Sequence, residues 1–89
     1  MPSVRFTRNI QRHVECPVLE VSGATVREAL ENYFSAHEQA RSYVLDDQGK
    51  LRQHMAIFID GNQLQDRDHL SDPVTQDAVL DLVQALSGG

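Results

Sequence analysis

The last two residues of the chain are the part best suited to chemistry. The sequence ends in Gly88-Gly89, which follows a predicted apolar strand. At the average use of glycine, such a pair at a given place occurs in about one chain in 200. Glycine has no Cβ, so another protein can enclose both sides of the segment, and from Ala85 to Gly89 it reaches roughly 13–14 Å. An α-carboxylate on so slender a segment can enter a foreign active site, where adenylation would make it an electrophile.

The other reactive side chains do not form a recognisable site. Cys16 is the only cysteine, which excludes an intramolecular disulfide. On a predicted strand, His13 and Cys16 would point to opposite faces, so we expect an inert thiol. The remaining histidines and the acidic loop residues lack the spacing of zinc or calcium sites. These residues are His37, His54, His69, Asp66, Asp68 and Asp72. The sequence therefore predicts no metal and no bound cofactor, with the acidic residues in a solvated loop.

Charge and hydropathy narrow the class of partner. The chain has 8 Lys and Arg against 13 Asp and Glu, a formal net charge of −5. This balance argues against nucleic acid and anionic membranes, which both attract cationic proteins. It favours a basic protein partner. No apolar run is long enough to span a bilayer and no secretory signal is recognisable, so we expect a cytoplasmic location.

The elements that must position the terminus can be read from the spacing of apolar residues. Thr25 and Glu28 form a capping box, and an apolar stripe behind it predicts a helix over Val26–Ala36. Residues 37–44 are expected to add a short helical turn. The predicted strands are an opening strand containing Val4, Phe6 and Ile10, then residues 14–21, 54–59, 63–64 and 78–85. Pro17 predicts a sheet edge, and Asp60-Gly61 a two-residue hairpin turn.

This order of elements predicts an α+β fold, the β-grasp or ubiquitin-like roll. In it, a mixed sheet of four to five strands packs on one main helix. We expect residues 1–85 to form this domain and residues 86–89 to form a flexible C-terminal tail.

Three segments resemble the MoaD/ThiS-type sulfur carriers. They are Thr25-Val-Arg-Glu-Ala-Leu30, Met55-Ala-Ile-Phe-Ile-Asp-Gly61 and Ala85-Leu-Ser-Gly-Gly89. The resemblance implies that a ubiquitin-activating-type enzyme uses ATP to adenylate Gly89. Sulfur is then loaded there as a thiocarboxylate, which a second, biosynthetic enzyme accepts. It also implies that the chain has no catalytic residues of its own.

The downstream pathway stays open. Val83-Gln84-Ala85 stands where molybdopterin-type carriers have Pro-Pro, and the chain is longer than typical thiamine-type carriers around residues 41–53.

Strand alternation adds a candidate interface. If the alternate residues of each strand face the helix, Phe58 and Val83 point outward and form an apolar patch beside the tail, for partner enzymes to dock on. The alternative is two isolated exposed apolar residues, which are common. In the tail itself, Leu86, Ser87 and Gly88 are expected to thread the partner's active site, and we expect a monomer between encounters.

Two other functions fit the same pattern. A ubiquitin-like modifier would be joined to target lysines through Gly89, although the tail lacks the arginine of a Leu-Arg-Gly-Gly ending. Lys50 is the only lysine, which restricts self-linked chains to that position or the amino terminus. A non-covalent interaction domain would make the terminal glycines incidental.

Overall fold

A five-stranded mixed sheet forms the centre of the structure, a computed structural model that describes residues 1–84. The spatial order is β2-β1-β5-β3-β4, in which β1 and β5 are parallel and the other pairs are antiparallel. The strands are β1 (Ser3–Phe6), β2 (Leu19–Glu20), β3 (Met55–Ile59), β4 (Asn62–Gln63) and β5 (Val79–Gln84). The α+β, β-grasp prediction is confirmed, with a sheet at the upper limit of the expected four to five strands.

The core lies against one face of this sheet. Leu82 is opposite Phe6 on one side and Ile57 on the other, and all three side chains are buried. Because side chains alternate along a strand, the intervening residues point away from the core. These intervening residues form the outer face of the sheet.

Three helices are present in residues 1–84, and the longest covers the core face. They are α1 (Arg8–Gln11), α2 (Val26–Ala36) and α3 (Glu38–Val44). The start of α2 is held as predicted, because Glu28 N donates to Thr25 Oγ1 at 3.2 Å. The Glu28 carboxylate in turn accepts from Ala24 N at 3.0 Å. The expected helical turn over residues 37–44 is also present, as α3.

The opening strand is shorter than the sequence predicts, and Ile10 lies in α1 rather than on a strand. Thr7 N still donates to Leu82 O at 3.2 Å, but Ile10 N then bonds back to Thr7 O at 3.1 Å. This turn places the Ile10 side chain, which is fully buried, in the core. An apolar residue thus reaches the core by helical rather than by strand geometry.

The predicted strand over residues 14–21 is likewise too long, because only Leu19–Glu20 pairs with β1. Continuing the register would place Pro17 opposite Phe6, where a proline has no N–H to donate. Phe6 O accepts from Gln11 Nε2 at 2.9 Å instead, and Pro17 O accepts from Tyr33 Oη at 2.6 Å. The predicted edge position is correct.

The turn between β3 and β4 matches its prediction. Asp60 and Gly61 have φ angles of 50° and 86°, the left-handed values that a tight two-residue hairpin needs. The return strand β4 begins one residue earlier than predicted, at Asn62.

Candidate functional site

The outer face of the sheet places Phe58 and Val83 on the same side. Phe58 is opposite Asp81, and Val83 lies two residues further along β5, so both point away from the core. Both are partly exposed, and they line a shallow depression of about 480 Å³ together with the exposed Val18. The geometry that the alternation predicts is therefore present. The use of this face by a partner stays a prediction.

An ion pair crosses the middle of this face. Arg5 Nε lies 2.7 Å from Asp81 Oδ1, and the second nitrogen, Nη2, lies 3.0 Å from Asp81 Oδ2. The hydrogen bonds and the charge of Asp81 raise the pKa of Arg5 above its ordinary value. Sequence reasoning missed this pair because it depends on the register between β1 and β5. The depression is consequently apolar at its ends and ionic at its centre.

The carboxyl end of β5 is the root of the expected tail, and it is held by two helices. Gln84 Oε1 accepts from Tyr43 Oη of α3 at 3.0 Å and from Asn9 Nδ2 of α1 at 3.4 Å. The Tyr43 ring stacks on His13 at 6.1 Å and meets the edge of His54 at 6.4 Å. No sequence pattern points to this cluster, because its members come from separate segments that only the fold brings together.

The predicted tail residues Leu86, Ser87, Gly88 and Gly89 lie outside the described residues, as does the domain boundary expected at residue 85. The structure describes the chain up to Gln84, the last residue of β5. The parallel pair β1 and β5 and the start of β3 all reach the same end of the sheet. We call this end the exit edge.

Cys16 is buried, and burial raises the pKa of its thiol, which disfavours the reactive thiolate. This supports the expected inert thiol, although the reason differs from the one that the sequence suggests. His13 and Cys16 do not lie on a strand, so it is burial rather than strand geometry that isolates the sulfur. Within residues 1–84, no three His, Cys, Asp or Glu side chains are placed to hold a metal ion.

The acidic loop is more ordered than the expected solvated loop. The Asp66 carboxylate accepts from His69 N at 3.0 Å and also from the Ser71 hydroxyl, while Asp72 accepts from Gln65 N and Asp66 N. These bonds, led by the one from Ser71, lower the pKa of Asp66 to about 2. Asp66 and Asp72 thus hydrogen-bond to residues of the loop that contains them.

No helix within residues 1–84 combines the length and the apolar character that crossing a membrane requires.

The comparison with known sequences gives no relative. No family model matches the chain, and no curated protein matches it significantly.

The comparison with solved structures gives full-length matches. A chain of the BexX/CysO complex from Amycolatopsis orientalis has a TM-score of 0.83 at 20% identity, with 100% of both chains covered. CysO from Mycobacterium tuberculosis has a TM-score of 0.81 at 13% identity, covering 97% of this chain and 100% of its own. SAMP1 from Haloferax volcanii has a TM-score of 0.78 at 24% identity, covering 99% and 98%. At these identities the likeness concerns the fold. The predicted resemblance to MoaD/ThiS-type ubiquitin-like proteins is thus confirmed at the level of the fold, and the chain has the β-grasp fold of CysO and SAMP1.

Proposed function

We propose that the chain is a sulfur carrier, a protein co-substrate whose Gly89 is adenylated by a partner enzyme and then loaded with sulfur. The observation that carries the proposal is the full-length match to CysO and SAMP1 in a chain that ends in Gly88-Gly89. The carboxyl end of β5 supports it, because Gln84, the last residue that the structure describes, is held at the exit edge by Tyr43.

The chemistry needs two steps on the α-carboxylate of Gly89. A carboxylate oxygen attacks the α-phosphorus of ATP, and pyrophosphate leaves to give an acyl adenylate. Hydrosulfide then attacks the acyl carbon, the bond to the adenylate oxygen breaks, and AMP leaves. The product is a thiocarboxylate with sulfur in place of one oxygen, and neither step changes an oxidation state. A biosynthetic enzyme then accepts the sulfur, and AMP and pyrophosphate are the by-products that the activating enzyme releases.

Binding rather than catalysis is the task of this chain. ATP belongs to the adenylating enzyme, and the chain itself binds no cofactor. Phe58 and Val83 supply the docking face, while Leu86, Ser87 and Gly88 thread the partner's active site. The apolar ends of the depression beside β5 support the docking role, because burying apolar surface favours association. We place the reaction in the cytoplasm, with the carrier monomeric between encounters.

Exchange of labelled pyrophosphate into ATP, catalysed by the cognate adenylating enzyme, tests the proposal. The wild-type chain should support exchange. A chain without Gly89, and one lengthened by a single residue, should not, while both keep the wild-type circular dichroism spectrum. Exchange that persists in both variants would contradict the use of Gly89.

A second function, conjugation to target lysines through Gly89, is favoured by one observation. SAMP1, which shares the fold over almost the whole chain, is described as a small archaeal modifier protein. Both functions begin with adenylation, so they differ only in the acceptor. Isopeptide adducts in a cell lysate that disappear when Gly89 is deleted would assign conjugation to this chain.

A further inference from the structure

The exit edge is positively charged in a molecule that is acidic as a whole. It is formed by residues 7–14, 52–55 and 83–84. Thr7 N bonds to Leu82 O at 3.2 Å, and Met55 pairs with Gln84 across the sheet. These segments contain no Asp or Glu, and their arginines are Arg8, Arg12 and Arg52, although the exposed Glu15 directly follows the first segment. The sign of the charge here is therefore opposite to the net charge of −5.

Two of these arginines are available to a partner. Arg8 and Arg12 are exposed, and no ion pair joins either of them to another residue within 1–84. Arg52 is held differently, because its Nε donates to Ser42 O at 2.8 Å. The exposed imidazoles of His13 and His54 add further hydrogen-bonding groups on either side of Tyr43.

The opposite end of the sheet has the reverse charge. It is formed by residues 20–25, 60–61 and 72–79, which meet through the Thr25–Pro73 bridge and the bond from Asp60 N to Val79 O at 2.9 Å. These segments contain no Lys, Arg or His. Their carboxylates are Glu20, Asp60, Asp72 and Asp77. Among these segments, the arginines thus lie at the end of the sheet that Gln84 reaches and the carboxylates at the other end, beside which the amino-terminal Met1 also lies.

We propose that Arg8 and Arg12 at the exit edge form a contact site for an acidic surface of the partner protein. On the partner, this surface surrounds the entrance to the active site that receives the tail. The inference rests on the proposed function and adds a partner chemistry to it. A positive pole at the tail root draws that end of the molecule towards negative charge, and the negative pole is repelled. The carrier is therefore oriented tail first before the apolar face makes contact, which raises the association rate.

An acidic protein fits this edge better than a nucleic acid does. Phosphate backbones carry dense charge, and their binding requires many cationic contacts. Within residues 1–84, the edge offers two exposed arginines that no ion pair occupies, and the rest of the molecule would repel a long polyanion. A local group of carboxylates on a protein surface meets both constraints. Two arginines suffice to contact it, and it need not approach the negative end of this chain.

Charge-reversal variants test the site through the adenylation reaction. R8E and R12E each change the charge by the same amount as K50E, a control at an exposed loop residue outside the segments that form the exit edge. At low ionic strength we expect the R8E/R12E double variant to raise KM for the carrier about tenfold with kcat within about twofold, since rim charges act on association. K50E should stay close to the wild type, and added salt should shrink the difference. Equal effects of R8E, R12E and K50E would overturn the site.

A direct binding measurement separates this inference from the proposed function. Titration of the isotope-labelled chain with a short oligoglutamate peptide should shift the amide resonances of residues 8–13 and 52–54. Salt and the R8E/R12E variant should abolish these shifts. Shifts that are absent, or equal at residues 20–25 and 72–79, would overturn the site even where adenylation succeeds. Tighter binding of an oligonucleotide of equal charge would overturn the choice of an acidic protein. A wild-type chain that is never adenylated but still binds the peptide here would refute the proposed function alone.

Discussion

Tyr33 links the core to the edge of the sheet. Its ring lies 5.3 Å from that of Phe6 and 5.9 Å from that of Phe34, and its hydroxyl donates to Pro17 O at 2.6 Å. The hydroxyl is the donor in that bond, and burial raises the pKa of Tyr33, which keeps the proton on the oxygen. The apolar spacing of α2 predicts that Tyr33 is buried, but the partner of its hydroxyl depends on the path of the chain before β2. The burial of Tyr33 is thus predictable from the sequence, whereas the hydrogen-bond partner of its hydroxyl is not.

Replacing Tyr33 with Phe should destabilise the protein by about 1 kcal/mol, because Pro17 O would lose its buried donor. Urea unfolding followed by circular dichroism measures the change. A variant as stable as the wild type would mean that water or another donor satisfies this carbonyl.

Asp66 should make stability depend on pH in the acid range. Its pKa is lowered from 3.8 to about 2 by the hydrogen bonds it accepts in the folded loop. Because the folded pKa is the lower one, the stabilisation is present above pH 4 and is lost as the pH falls through about 2. D66N should therefore be less stable than the wild type at pH 6, and the two should converge towards pH 2. A difference that does not change with pH would contradict the role of this carboxylate.

At the scale of elements, the sequence predicts α2 at its observed bounds because its signals are local. The capping box of Thr25 and Glu28 and a continuous apolar stripe need no distant partner. The N-terminal region is different, because Ile10 fits the strand pattern until Thr7 N bonds to Leu82 O and the chain turns. The short β2 follows from Pro17. Its missing N–H is evident from the sequence, but the effect on strand length depends on the register with β1. The predicted strand bounds are thus wrong at positions where a long-range hydrogen bond decides whether the chain continues as a strand or turns.

The connection between β2 and α2 approaches the helix too closely for a side chain. A Cβ on Gly23 would lie 2.6 Å from Ala29 N and 2.8 Å from Ala29 Cα. G23A should cost roughly 1–3 kcal/mol of stability, because backbone atoms would have to move. G61A is the control for a positive φ without crowding, since no atom lies within 4 Å of its Cβ position. If G23A is no more destabilising than G61A in urea unfolding, this close packing is not a constraint.

At the scale of the whole molecule, composition gives the sum of the charges but not their positions. A net charge of −5 favours a basic partner, whereas the fold places three arginines at the exit edge and four carboxylates at the opposite end of the sheet. Neither pole is visible in the sequence, since each combines segments that are far apart in the chain. The outward positions of Phe58 and Val83 were predictable, because strand alternation is local once the inner face is known. The cluster around Gln84 was not, because α1 and α3 both contribute to it.

The docking face can be tested with two valines on one strand. Val83 and Val79 both point outward from β5, but only Val83 lies near the exit edge. V83S should raise KM for adenylation about tenfold, as expected for an apolar contact that the partner buries, with little change in kcat. V79S should have a far smaller effect. Similar KM values for the two variants would place the docking surface elsewhere.

The central claim is that sulfur is loaded on the last residue of the chain. Incubation with ATP, hydrosulfide and the cognate adenylating enzyme, followed by intact and fragment mass spectrometry, tests it most directly. We predict the mass gain of one sulfur-for-oxygen exchange, confined to the fragment that ends in Gly89 and absent without ATP. An unchanged mass, or sulfur located on Cys16 instead, would contradict the account.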